Sequence, residues 1–419
     1  MAEKTAYSQA VTTGMYDKST GLLGKYDNVR RFWEDQITAA FLRKSLNELV
    51  DRKKKKLERI RILDLGCGSG DAYDLIMGIT TKDPGIYEYI TAAITPDILQ
   101  EYVGVDINED LLQQAEAYYG DNPKMHFIKG NLNGALPNEV KKAEPFDLYF
   151  TSYGTLAHFH DKDNAGLIAD ICRHAPSGAL FVGDWLGRYS YEWQNLWHHS
   201  ANAEYFMDYR ISYIYSEEDR KNVEVSSFPL RITTRDEVMH VIDEAARKAG
   251  VKIRPVNFYD RSILIGRHLD TGDYNQQRMN LRYQINSLFE ADVRTDLEAI
   301  KTDYIPRPKF GHLNNFFEMF FMSCNALIDY TIALLSEYDF EKGVLPASPE
   351  IQPYYPESVK KAMQTMRRVI EGVGWVKHGG VRANVIEPQL AYCLRELEIL
   401  LQPGTGVGHS LTGIFEIIK

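Results

Sequence analysis

The sequence predicts an α/β protein: a doubly wound, mostly parallel sheet over residues 57–269, an N-terminal helical segment over 1–56 and an added helical C-terminal domain over 270–419. Three observations carry this reading. Short apolar runs alternate with amphipathic stretches between residues 57 and 269, the pattern of parallel strands joined by helical crossovers. The first run is followed by a turn with glycines at alternate positions, Gly66, Gly68 and Gly70, at the sheet edge where open α/β folds bind ligands. Beyond Asp270 the apolar residues recur at helical spacing, as in Leu281, Ile285, Leu288 and Phe289.

In chain order, Phe32, Trp33, Ile37, Phe41, Leu42, Leu46 and Val50 predict an amphipathic helix. The cations Arg52 to Lys56 close it, as the helix dipole favours. Strands are predicted at 59–65, 102–106, 125–128, 146–150 and 179–184, with helices at 109–119 and 164–173 between them. The spacing from Gly66 to Asp106 exceeds the roughly 20 residues of a tight strand-helix-strand unit, so 78–99 is read as an inserted surface loop. Residues 185–232 are an aromatic and polar insertion with strands at 210–215 and 223–231. Thr234-Arg235-Asp236-Glu237 has capping-box form and starts a helix that stops at Gly250. The last two strands fall at 251–258 and 262–266, and helices follow at 274–300, 313–338, 357–370 and 388–401. The Pro-rich stretch 346–356 is a linker.

Composition excludes several classes. A 44% hydrophobic and 25% charged chain is ordinary for a folded protein. A net charge of −10 argues against a generic nucleic-acid binder, which needs cations for the phosphates. The 4 cysteines include no close pair, which speaks against a disulfide framework and against a thiolate metal site and fits a reducing cytoplasm. Met1 to Ala10 is polar, without the apolar core of a signal peptide. The apolar stretch 316–335 is interrupted by Glu318 and Asp329, so a buried helix is expected there and no membrane partner.

The chemistry-bearing motif is Asp64-Leu65-Gly66-Cys67-Gly68-Ser69-Gly70. A dinucleotide GxGxxG fails, because its third glycine would fall on Asp71 or Tyr73, and a Walker loop fails for want of Gly-Lys-Ser/Thr. An acidic turn suits a cationic or ammonium-bearing ligand better than a pyrophosphate. The stretch resembles motif I of the class I S-adenosylmethionine-dependent methyltransferases. Further matches follow in the family's order: Asp106, Gly130-Asn131-Leu132, Phe146 to Ser152, and the turn Pro176 to Ala179. The resemblance covers about residues 55–268. It implies a seven-stranded sheet and S-adenosyl-L-methionine as cofactor. The turn residues Asp64, Gly66, Cys67, Gly68 and Gly70 would hold it, with Asp106 and Ile107 at the ribose, Asn131 and Leu132 at the adenine, and Ser152 at the end of strand four.

The resemblance places the methyl acceptor beyond strands four and five. His158 is the candidate general base, since imidazole titrates near neutrality, and His160 could orient or substitute for it. No metal is expected. Tyr153, Trp185, Arg188 and Tyr189, with Glu192 nearby, and Tyr26 and Arg30 from an N-terminal lid, are the candidate acceptor contacts. The expected function is methyl transfer to a small organic acceptor at O, N or S. The alternative is a non-catalytic, cofactor-binding regulatory or assembly subunit. Residues 270–419 are expected to cover the acceptor side, with Trp375, His378 and Arg382 contributing, and to form a homodimer.

Overall fold

The computed structural model describes residues 7–16, 22, 24–82, 91–198, 204–275, 279–376 and 379–419. The chain starts with α1 (Ser8–Thr12) and a π turn, Arg30–Glu34, that runs into α2 (Asp35–Lys55). Then come β1 (Ile60–Leu65), α3 (Asp71–Met77), β2 (Leu99–Asp106), α4 (Glu109–Tyr119), β3 (Met125–Lys129), α5 (Asn138–Lys142), β4 (Leu148–Phe150), α6 (Asp161–His174) and β5 (Leu180–Gly187). A hairpin follows, β6 (Tyr205–Arg210) and β7 (Ser227–Thr233), with the single turn α7 (Glu217–Arg220) in its loop. After α8 (Arg235–Ala249) and β8 (Lys252–Arg261) the chain leaves the sheet for α9 (Leu281–Ser287), α10 (Gly311–Glu337), α11 (Glu357–Gly372) and α12 (Glu387–Leu401). It returns as β9 (Ser410–Ile418).

Among the described residues the sheet has nine strands, and it forks at β5. Strands β3, β2, β1, β4 and β5 lie side by side and parallel. Along its body β5 pairs antiparallel with β9, which pairs antiparallel with β8. At its carboxyl end, Leu186 and Gly187 pair with β7 and so carry the β6–β7 hairpin. Strand alternation sorts the side chains to two faces. Ile60, Ile62, Leu180 and Val182 enter one core with α2; Leu63, Leu65, Phe181 and Trp185 enter the other with α6 and α8.

The alternating region reads as expected, including the α8 capping box and Gly250 at φ 68° in its C-cap. Four expectations need correction. The C-terminal region is not wholly helical: Ser410–Ile418 is a sheet strand, so the helices are an insertion between β8 and β9. Its β-branched and aromatic run after a Gly-rich loop was the overlooked signal. Residues 262–266 are a turn, because the Glu398 carboxylate takes the N–H groups of Ser262 and Leu264 that a ladder would need. The helix predicted over 274–300 is regular only at Leu281–Ser287, apart from a single turn at Glu298–Ile300. The strand predicted at 210–215 lies at Tyr205–Arg210 and is followed by a short turn. The 78–99 insertion is pinched by a bridge between Thr80 and Ala92, and its part 83–90 lies outside the described residues.

Helix α10 is long and apolar enough to cross a membrane. In the fold it contacts α11 and α12, and Phe317, Phe320, Phe321, Leu327 and Ile328 are buried.

Candidate active site

The carboxyl ends of β1 to β5 open onto a cavity of about 400 Å³, within the size range of small-molecule sites. The turn after β1 borders it. Gly66, Gly68 and Gly70 have φ of 76°, 53° and 81°. Gly66 has no substitute, because a Cβ there would lie 2.5 Å from Thr155 Cγ2. The Asp106 carboxylate accepts the N–H groups of Gly68 and Asn108, each at 2.8 Å, and so ties the turn to β2. Burial pushes the Asp106 carboxyl up, and the N–H groups of Asn108 and Gly68 oppose that shift. Each oxygen keeps a lone pair for a ligand. Ile107, Asn131, Leu132, Ser152 and Tyr153 continue the lining, as do Cys67 and Arg30.

Two predicted cofactor residues lie just behind the surface. Asp64 is fully buried, bonded to the Tyr102 hydroxyl through one oxygen and without a partner on the other. Burial pushes its pKa up to about 7. Gly70 caps α3, where a Cβ would meet the Tyr119 ring at 2.9 Å. The acid of this turn that faces the cavity, as Asp106 does from β2, is Asp71, paired with Lys25 at 2.7 Å. Burial opposes its ionisation, but Lys25 and then Arg30 outweigh burial and hold its carboxyl below the usual range.

The other half of the cavity is aromatic: Tyr7 and Tyr16 from the N-terminal segment, Tyr209, Tyr213 and Phe228 from the β6–β7 region. The insertion over 185–232 therefore does reach the acceptor side, through residues other than those expected. His158 lines the cavity; its Nε2 lies 3.1 Å from the Tyr7 hydroxyl and its ring stacks on Phe228. Burial pushes its pKa down to about 4. His160 does not join it. Its exposed ring pairs with Glu204 at 2.6 Å, beside the start of α6, where the same carboxylate takes the Asp161 N–H.

Three predicted acceptor contacts are structural. Alternation along β5 turns Trp185 to the α6–α8 face, against Gly183. Arg188 is buried in an ion pair with Glu237 of the capping box. Tyr189 stacks edge-on against Trp197 and leans on Phe310. Tyr26 sits behind the lining, beside Lys25 and Arg30. Arg30 and Tyr153 do line the cavity, in contact with each other, and Tyr153 holds φ 52°.

Among the described residues, none from 270 to 408 lines the cavity, so the expected cover by the C-terminal helices fails. Trp375 is 79% exposed, Arg382 pairs with Glu387, and His378 lies outside the described residues. The insertion instead supports the site from behind. Arg282 of α9 pairs with Asp27 at 2.6 Å and with Glu34 at 2.9 Å, and Glu34 pairs with the cavity residue Arg267 at 2.7 Å. Burial opposes ionisation of Glu34, but Arg267 and Arg282 outweigh it and hold its carboxyl well below the usual range. Arg261 joins Asp184 in the adjoining ion pair.

Sequence reasoning missed Tyr7, Lys25, Tyr209, Tyr213, Arg267 and His409. The tyrosine richness of the chain, 26 residues, was their one compositional signal.

Residues 89–178 match the family model of the methyltransferase domain. That stretch, from before β2 to the turn before β5, is similar to a methyltransferase domain. An S-adenosylmethionine-dependent methyltransferase from Clostridium acetobutylicum aligns at 12% identity over 59% of this chain and 89% of its own, with a TM-score of 0.34. The glycopeptide N-methyltransferase MtfA, solved with S-adenosyl-L-methionine, aligns at 15% identity over 50% and 79%, with a TM-score of 0.33. No curated protein matches the sequence.

Proposed function

We propose that the protein transfers the methyl group of S-adenosylmethionine to a small organic acceptor held in the aromatic half of the cavity. One observation carries the reading: a single cavity joins the glycine turn and Asp106 to a chamber walled by buried side chains. Tyr16, Tyr209, Arg267 and His409 are only 5%, 4%, 5% and 7% exposed. An acceptor enclosed there is a small molecule rather than a protein surface or a nucleic acid.

The cofactor supplies a methyl group activated on a sulfonium. The residues present fit it. Asp106 would take the ribose hydroxyls, and Asn131 and Leu132 would border the adenine. Lys25 and Asp71, an ammonium and a carboxylate side by side, complement the zwitterionic amino-acid end. Tyr153 and Thr155, after β4, and Leu186, at the end of β5, also line the cavity. Tyrosine faces near a sulfonium favour its positive charge. The enclosing rings also fix the acceptor in line and exclude water, which is where most of the acceleration in such a transfer arises.

The test is calorimetric titration with S-adenosylmethionine, followed by a screen of small phenols, thiols and amines for release of S-adenosylhomocysteine. Binding together with turnover of at least one acceptor is expected. Binding of a nicotinamide dinucleotide in place of S-adenosylmethionine would refute the reading. Cofactor binding with no turnover of any acceptor would favour the regulatory alternative.

A further inference from the structure

A second histidine faces the acceptor half of the cavity, and unlike His158 it has a carboxylate behind it. His409 immediately precedes β9, and its backbone is fixed on both sides: its N–H donates to the Ser262 carbonyl, and its own carbonyl accepts the Gly187 N–H. The loop that delivers it wraps the buried Asp260, whose carboxylate takes the N–H groups of Thr405, Gly406 and Val407 at 2.8–2.9 Å. Gly406 holds φ 101° to make that wrap.

The His409 Nδ1 lies 2.7 Å from Oε1 of Glu192, a side chain 1% exposed. Glu192 Oε2 accepts the His268 N–H at 2.7 Å, and Ser190 donates to Oε1 at 3.0 Å. Burial opposes ionisation of Glu192, but the His409 ring, helped by the His268 backbone N–H, outweighs it and keeps the carboxyl below its usual range. The place of the carboxylate is built into the backbone: a Cβ on Gly266 would fall 2.0 Å from Glu192 Cδ. The other groups against the His409 ring are Trp193, Tyr209 and His268. Burial pushes His268 down to about 3, so it adds no charge near neutrality.

We propose that His409, oriented by Glu192, is the general base for the acceptor, an assignment that rests on the methyl-transfer reading. A carboxylate at Nδ1 fixes the proton there and leaves the Nε2 lone pair free, the tautomer a base requires. The acceptor O–H, N–H or S–H proton passes to Nε2. The acceptor lone pair forms the new bond to the methyl carbon, while the sulfur keeps the electron pair of the broken C–S bond. The positive charge that leaves the sulfonium ends on the imidazolium, where Glu192 compensates it. His158 lacks such a partner: the Tyr7 hydroxyl and the Phe228 ring supply no carboxylate to hold the proton on one nitrogen and balance an imidazolium, so it shapes the pocket.

Two measurements test this. The first is ¹⁵N NMR of the histidine side chains in the full-length protein near pH 7, with His409 assigned by its loss in His409→Gln. The expected ring is protonated on Nδ1 and bare on Nε2, and both Glu192→Gln and Gly266→Ala alter its tautomer balance. An Nε2-protonated ring in the wild type, or one unchanged by Glu192→Gln, overturns the assignment. The second is S-adenosylhomocysteine release with catechol, thiophenol and benzylamine as probe acceptors. His409→Gln should lower turnover by about 10²-fold or more and leave S-adenosylmethionine affinity near wild type; turnover near wild type overturns the assignment. Failure of the wild type to bind S-adenosylmethionine would instead sink the methyl-transfer reading, and the NMR result separates the two.

Discussion

Glu34→Gln is the sharpest probe of how the site is held. Glu34 is 1% exposed and receives Arg267 at 2.7 Å, Arg282 at 2.9 Å and the Ser262 hydroxyl at 2.9 Å. The amide keeps the shape and one acceptor, but turns N–H donors toward a guanidinium and leaves Arg267 buried without its anion. Breaking a buried pair from one side costs about 3–5 kcal/mol. With a urea slope of about 3 kcal/mol/M, the unfolding midpoint should fall by about 1 M or more at pH 7. The sign with pH follows from the depressed carboxyl. The stabilisation is fully present above the unfolded value of 4.5 and is lost as pH falls through the lower folded value, so the gap between wild type and variant closes in acid. A variant within about 1 kcal/mol of wild type at pH 7 would show that these ion pairs are not what joins the N-terminal helix, the 262–267 turn and α9.

Asp106→Ala removes a carboxylate that would bond two ribose hydroxyls, at a cost of about 1.5–3 kcal/mol, so calorimetry should show S-adenosylmethionine binding weakened about tenfold or more; unchanged affinity in a folded variant removes the ribose assignment. Deleting residues 410–419 takes out the strand between β5 and β8, so circular dichroism should show no cooperative melting; a shortened chain that melts cooperatively and binds cofactor would contradict the topology. Asp64 has its pKa raised from 3.8 to about 7, worth about 4 kcal/mol at roughly 1.4 kcal/mol per pKa unit. The folded state keeps the proton longer than the unfolded one, so stability falls as pH rises from about 4 to about 7. Denaturant titrations of Asp64→Asn across that range should lack the fall, and parallel pH curves for the two proteins would count against it.

Local features were legible in the sequence. Glycines at positive φ, the acid ending β2 and the Thr234 capping box are decided within a few residues, and all lie where the pattern put them. Asp64 was placed in the site because its sequence position says nothing of depth, and the structure puts it one layer down, under Tyr102. Trp185 and Arg188 show a related limit: an aromatic and a cation at the carboxyl end of β5 suit a pocket, yet strand alternation and Glu237 direct them elsewhere. The acceptor wall was illegible because it is tertiary. Tyr7, Tyr209, Arg267 and His409 come from four separated segments, and only the fork of the sheet at β5 brings them together.

That fork has a consequence in chain entropy. Strands β8 and β9 are neighbours in space, yet the whole segment 262–409 lies between them in sequence. Closing it as a slack loop is costly, and the cost grows as (3/2)RT ln n. If the inserted helices fold first and bring their two ends together, the effective loop shrinks from roughly 150 links to roughly 10, a relief of about 2 kcal/mol. The insertion thus sets the terms on which the sheet can close. Because His409 sits at the closing seam, loosening the helices far from the cavity would be felt there first as a misplaced imidazole, before any loss of cofactor affinity.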